Sequence, residues 1–239
     1  MTDPISAVPP RPRARTSGVV YLLYFLTAIL AQFFMSGLMI SADAAATANN
    51  LHAHETLFRL GLALSLIAIA WYIALTALFY DLFKAVNRTL SVLAAFFSLV
   101  GCAIQAFASA FQLAPSVVLG GAPYLSVFKL EQLQALSLMF LKLGSQVFNI
   151  GLIFFGFYCL LLGYLIFRSD FLPRILGVLM AFAGLGWLAF LSPHLVISLS
   201  PYIQILGVLA EASLMLWLLA KGVNVQRWQQ QASTAGKYQ

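Results

Sequence analysis

GLIFFGFYCLLLGYLIFRSDFLPRILGVL, residues 151–179, decides the fold. Its first 17 residues carry no charge, Arg168, Ser169 and Asp170 close the run, and a second apolar run opens after Arg174. Two spans joined by a short polar turn are a membrane hairpin. The rest of the chain agrees: hydrophobic residues make up 62% of it, against about 45–50% in a soluble domain. Charged residues are 8%, against roughly 25%. So few charges could not clothe a soluble sphere, and bare apolar patches would aggregate. A soluble enzyme, a nucleic-acid reader and a disordered chain are excluded as descriptions of the whole, and the bilayer is the expected partner.

Working outward from the hairpin, the fourth span is expected at about 147–167 and the fifth at 175–191. The others fall at 18–40, about 58–79, about 90–113 and 201–220, each near the length that crosses a hydrocarbon core of roughly 30 Å. The first span is too long for the h-region of a signal peptide, about 7–15 residues, and is expected to be retained. Residues 1–17 carry Pro4, Pro9, Pro10, Pro12, Arg11, Arg13 and Arg15 and predict a polar tail. Residues 18–221 form the membrane domain. Residues 222–239 predict a second tail, with Trp228 at headgroup level. Pro115, Gly120, Gly121 and Pro123 predict a loop over 114–130. Residues 127–145 are Leu-rich but carry Lys129, Glu131, Gln132, Gln134 and Lys142, an amphipathic lead-in that either lies at the interface or extends the fourth helix outward. The expected fold is all-α, a six-helix transmembrane bundle with this segment before the fourth span.

The cations set the orientation. Placing both tails and the turns at 80–89 and 168–174 on one side collects Arg11, Arg13, Arg15, Lys84, Arg88, Arg168, Arg174, Lys221, Arg227 and Lys237, 10 of the 13 Lys and Arg. Arg59, Lys129 and Lys142 remain opposite. The positive-inside rule then predicts both termini in the cytoplasm. Without a dense cluster, the net charge of +6 does not indicate nucleic acid. Cys102 and Cys159 fall at different depths, so no disulfide is expected between them.

Several further strings occur in order: ADAAATANNLHAHETLFRLG at 42–61, KAVNRTL at 84–90, EQLQALSLMFL at 131–141 and LWLLAKGVNV at 216–225. Together with residues 151–179 they resemble the bacterial multi-pass membrane family called domain of unknown function 4386. The resemblance covers nearly all of residues 20–225. It implies six helices in a bacterial inner (plasma) membrane and carries no activity or substrate.

Absences narrow the chemistry. No histidine lies in a span, so neither a bis-histidine haem nor a buried Ser–His pair is available. The H-E-x-x-H and G-x-x-x-x-G-K-[ST] strings are missing. No cofactor is predicted, with zinc left open at the outer face. There His52, His54, Glu55 and His194, with Asp43 as a further carboxylate, offer ligands of the right type. Against zinc, two histidines two residues apart on a helix point to nearly opposite faces. The simpler expectation is Asn50 capping the second helix and a Glu55–Arg59 pair at i,i+4.

Polar residues within the spans form a second group. Lys142, Ser145, Gln146 and Asn149 share one face of the fourth helix and, with Arg59, suggest a polar outer mouth. Gln32, Ser36, Ser98 and Gln105 add points on the first and third helices, residues of a type that often bond between helices at about 0.6 kcal/mol each. Gly177, Ala181 and Gly184 form a small-residue ridge that predicts a close helix contact.

Glu211 is the one carboxylate inside an apolar span. Ten residues from Lys221, it is expected about 15 Å from the boundary, near the midplane. A charged carboxylate there costs at least ~2.5–3.5 kcal/mol, so it should face the bundle. No cation is expected at that depth. A neutral acid hydrogen-bonded to Tyr72, Gln105 or Tyr158 is expected, serving either as interhelical glue or as a proton-coupling site. Three functions stay open: membrane-embedded transport or binding of a small molecule or proton centred on Glu211, a non-catalytic accessory or sensor subunit, and an outer-face metal-dependent enzyme.

Overall fold

A computed structural model describes residues 10–40 and 42–235. Among them the chain is all-α, with no strand: α1 (Pro10–Met35), α2 (Ala44–Ala53), α3 (Glu55–Phe83), α4 (Arg88–Val118), α5 (Leu130–Arg168), α6 (Arg174–Leu188), α7 (Pro193–Ala220) and α8 (Val225–Ala235). Single 3₁₀ turns stand at Pro123–Leu125 and Ala189–Leu191. Six helices are long and apolar enough to cross a membrane, as a multi-pass membrane protein requires. With no water to satisfy backbone groups, each span must bond internally, and the helix achieves that.

The boundaries differ from expectation in physically informative ways. α1 starts at Pro10, inside the stretch expected as tail, and Ala14 and Ser17 are already buried. Proline suits a first turn because its missing N–H would be unpaired there. The loop expected before the second span contains α2, started by Asp43, whose carboxylate accepts from the Ala46 N–H at 2.8 Å. Asn50 therefore lies within α2 and is not the cap of the next helix. α4 runs through Pro115 to Val118: the proline forgoes its own bond to the Phe111 carbonyl, while its carbonyl still accepts from the Leu119 N–H at 2.9 Å. The 127–145 segment extends the fourth helix: α5 is continuous for 39 residues, about 58 Å. The polar stretch after α7 forms α8, reached through Gly222, whose φ of 67° suits a residue without a Cβ.

The chain divides into two compact units. The first comprises Met1–Leu23, Trp71–Gly101 and Leu152–Gln239. Its central seam joins α5 to α6 through facing glycines. A Cβ on Gly163 would lie 2.7 Å from the Gly177 carbonyl oxygen, and one on Gly184 would lie 2.8 Å from that of Gly156. The ridge read at Gly177, Ala181 and Gly184 is this contact. Gly18 of α1 packs on the backbone of α7, where a Cβ would meet the Leu219 nitrogen at 2.8 Å. Bare backbones approach closely because dispersion contacts, not water release, join helices in lipid.

Polar bonds tie the same unit together near its chain ends. The Arg13 guanidinium pairs with Asp81 at 2.6 Å, and Lys84 pairs with the other carboxylate oxygen of Asp81. Thr76 and Ser98 share a hydrogen bond of 2.6 Å between α3 and α4. From α8, Trp228 Nε1 donates to the Leu82 carbonyl at 3.0 Å, Gln231 Nε2 to that of Arg168 at 3.2 Å, and Arg227 to that of Asp170 at 3.3 Å.

The second unit, Tyr24–Ala70 and Cys102–Gly151, has a different interior. Leu38, Leu51, Phe58 and Leu141 form an apolar cluster against Met35. Thr47 of α2 receives the Ile40 N–H at 2.9 Å and donates back to main-chain oxygens. Gly61 and Gly144 sit close to α1 and α4 residues, Met35 and Phe111 respectively.

Candidate functional site

Glu211 lies on α7, in the first unit. Its side chain is hydrogen-bonded to the Tyr21 hydroxyl and stands within electrostatic reach of Tyr72 and Cys159. The residue is half-buried, whereas Tyr21, Tyr72, Tyr158 and Cys159 are almost fully buried. The tyrosine rings hold one another edge to face. Centroids are 6.4 Å apart for Tyr21 and Tyr72 and 6.1 Å for Tyr72 and Tyr158, with Phe155 at 5.0 Å from Tyr72. Such pairs add roughly 0.5–1.5 kcal/mol each beyond burial and fix ring orientation. Four helices thus converge on one carboxyl group: α1 brings Tyr21, α3 brings Tyr72, α5 brings Tyr158 and Cys159, and α7 brings Glu211.

Beside Tyr158 a narrow void of about 10 Å³ is lined by Thr76, Tyr80 and Ser91 among apolar neighbours. That volume holds about one water, and hydroxyls at its wall give the water partners. The Ser91 hydroxyl already donates to the Tyr80 carbonyl at 3.1 Å.

Of the four residues grouped by depth in the sequence, Tyr72, Tyr158 and Glu211 come together in the first unit, while Gln105 belongs to the second. Tyr21 was missed. Depth counting passed it over: with the first span expected from Gly18, Tyr21 counted as three residues, about 5 Å, inside the boundary, well short of the depth of Glu211.

The residues read as an outer mouth lie in the second unit. Lys142, Ser145, Gln146 and Arg59 are exposed and Asn149 is half-buried. Arg59 is paired with Glu55 at 2.6 Å, the i,i+4 pair expected from spacing. His52 sits in the last turn of α2, His54 caps it, and both are exposed. His194 is in the first turn of α7, in the other unit. Among the described residues, no three His, Cys, Asp or Glu side chains gather as a metal site. His54 ends one helix and Glu55 begins the next.

The family model described as Domain of unknown function (DUF4386) matches residues 16–222. No curated protein and no solved structure matches the chain.

Proposed function

The chain belongs to the Domain of unknown function (DUF4386) family, and from that premise, which brings no activity with it, we propose that Glu211 is the working group of a membrane-embedded transport or small-ligand-binding protein. The observation that carries this is the convergence of four helices on one intramembrane carboxyl, with the Tyr21 hydroxyl bonded to it. Intramembrane acids are costly and mark ion or substrate pathways. Tyrosine hydroxyls both donate and accept, so they can stabilise either protonation state of the acid and pass a proton through a neighbouring water. The small void at Tyr158 supports such a step. A bundle that merely packs, as an accessory subunit would, is the competing reading, favoured by the Thr76–Ser98 bond, which joins helices and moves nothing.

Glu211→Gln separates the two, because it keeps shape and hydrogen bonding and cannot exchange a proton. The reconstituted protein is expected to display a protonated-carboxyl infrared band that titrates and disappears in Glu211→Gln, together with pH-dependent proton uptake into dye-loaded vesicles that the variant lacks. The band shows the acid under either reading, so uptake decides: a stable variant that takes up protons as the wild type does would sink the coupling role. The family resemblance supports a bacterial inner membrane location, and the cation distribution supports both termini being cytoplasmic. Reporter fusions should read the cytoplasm at Arg88 and the outer side at Gly120. A cytoplasmic signal at Gly120 overturns that orientation.

A further inference from the structure

Away from Glu211, the first unit contains a groove of about 440 Å³ lined by Val86, Phe167, Arg168, Asp170, Arg174 and Gln231. It lies where α5 ends and α6 begins, with α8 contributing Gln231. Two arginines and one aspartate therefore line a single groove. None of the three charges is in an ion pair among the described residues, whose pairs are Arg13–Asp81, Lys84–Asp81 and Arg59–Glu55. The Arg174 guanidinium is instead held over the Phe167 ring, 5.7 Å from its centroid, which orients it without neutralising it. Just inside this level, Tyr164, Phe167 and Ile175 are large and exposed, as side chains that face acyl chains are.

We propose that this groove binds the headgroup of a zwitterionic aminophospholipid, its phosphodiester on Arg168 and Arg174 and its ammonium on Asp170. Guanidinium groups are the side chains best matched to phosphate oxygens. Basic pockets at the ends of membrane helices are general headgroup sites. The carboxylate gives the selectivity. A primary ammonium donates charged hydrogen bonds to it, a quaternary choline has no N–H to donate, and a glycerol headgroup offers only uncharged hydroxyl donors. The apolar rows at the mouth place the acyl chains, which a soluble phosphate lacks.

The test is native mass spectrometry of the full chain released from membranes of mixed phosphatidylethanolamine, phosphatidylglycerol and phosphatidylcholine. Wild-type protein is expected to retain phosphatidylethanolamine over phosphatidylcholine by about tenfold, the worth of one charge-assisted hydrogen bond. Arg168→Gln with Arg174→Gln should abolish retention of all three, and Asp170→Asn should invert the preference in favour of phosphatidylglycerol. Hydrogen exchange of α8 serves as the folding control, since that helix bonds only the main chain at 168 and 170. Equal retention of the three lipids, or retention unchanged in the double variant, overturns the proposal. So does displacement of the lipid by inorganic phosphate at millimolar concentration, which would identify a site for soluble phosphate.

Discussion

In the first unit Arg13 reaches Asp81, Thr76 reaches Ser98 and Trp228 reaches the carbonyl of Leu82. In the second, Ser65, Ser109, Ser137 and Ser145 bond back to carbonyls four residues earlier in their own helices. Both arrangements satisfy polar groups in lipid. The first fixes one helix against another through short N–H and O–H bonds, whereas the second has a long Ser65–Met35 Sδ contact of 4.0 Å between α3 and α1. A back-bonded serine adds nothing to register, to which the apolar cluster around Phe58 and two glycine contacts contribute in the second unit. The unit that carries the acid is the unit whose helices are pinned, as a site that must hold several hydroxyls around one carboxyl requires.

The glycine contacts give the strongest way to break this contrast. In Gly163→Ala the new Cβ meets the Gly177 oxygen at 2.7 Å and the Ala181 nitrogen at 2.8 Å, backbone atoms that yield less readily than a side chain. A loss of about 2–3 kcal/mol is expected from overpacking. In Gly144→Ala the Cβ meets the Phe111 Cβ at 3.1 Å and the Ala108 oxygen at 3.3 Å, so a small shift suffices and about 1 kcal/mol is expected. Unfolding in mixed micelles measures both, and equal losses would erase the difference between the units.

Ion pairs sharpen it at a smaller scale. Asp81 is about a quarter exposed and serves two cations, so Asp81→Asn should cost about 1–2 kcal/mol after allowing for partial screening. Glu55 is half exposed and serves one neighbour in its own helix, so Glu55→Gln should cost less than about 0.5 kcal/mol. The same unfolding assay decides, and a Glu55 effect as large as that of Asp81 would refute the distinction. Between these two in size is Trp228→Phe, which removes one N–H donor and replaces the indole with a smaller aromatic ring. About 1 kcal/mol is expected, confined to α8 and visible as faster amide exchange there. Unchanged exchange across Val225–Ala235 would mean that the Leu82 bond does not hold the helix.

What the sequence made legible follows from what lipid demands. The six spans were readable because length and lack of charge suffice to define a crossing, and the Gly177–Ala181–Gly184 contact because small residues mark close approach. Glu211 stood out as the sole carboxylate in a span. Rotation about each helix axis was not readable. When every face is apolar no stripe points to the core, so Tyr21 and Gln105 could not be sorted by direction, only by depth. α2 and α8 were hidden for another reason. Both are too short to cross a bilayer and too polar to draw attention, and what makes them helices is an Asp43 cap in one case and bonds to distant carbonyls in the other.

Arg168 and Asp170 each present two faces to their surroundings: a main-chain oxygen accepting from α8 and a side chain in the groove. Carbonyl oxygens are common to every residue, so α8 stays docked whichever amino acids occupy those positions. Mutational drift at 168 and 170 can therefore rewrite what the groove prefers without renegotiating how the chain is closed. The burden of identity in the docking falls on Trp228, Gln231 and Arg227 alone, and pairwise covariation between the two sides should be silent although they touch.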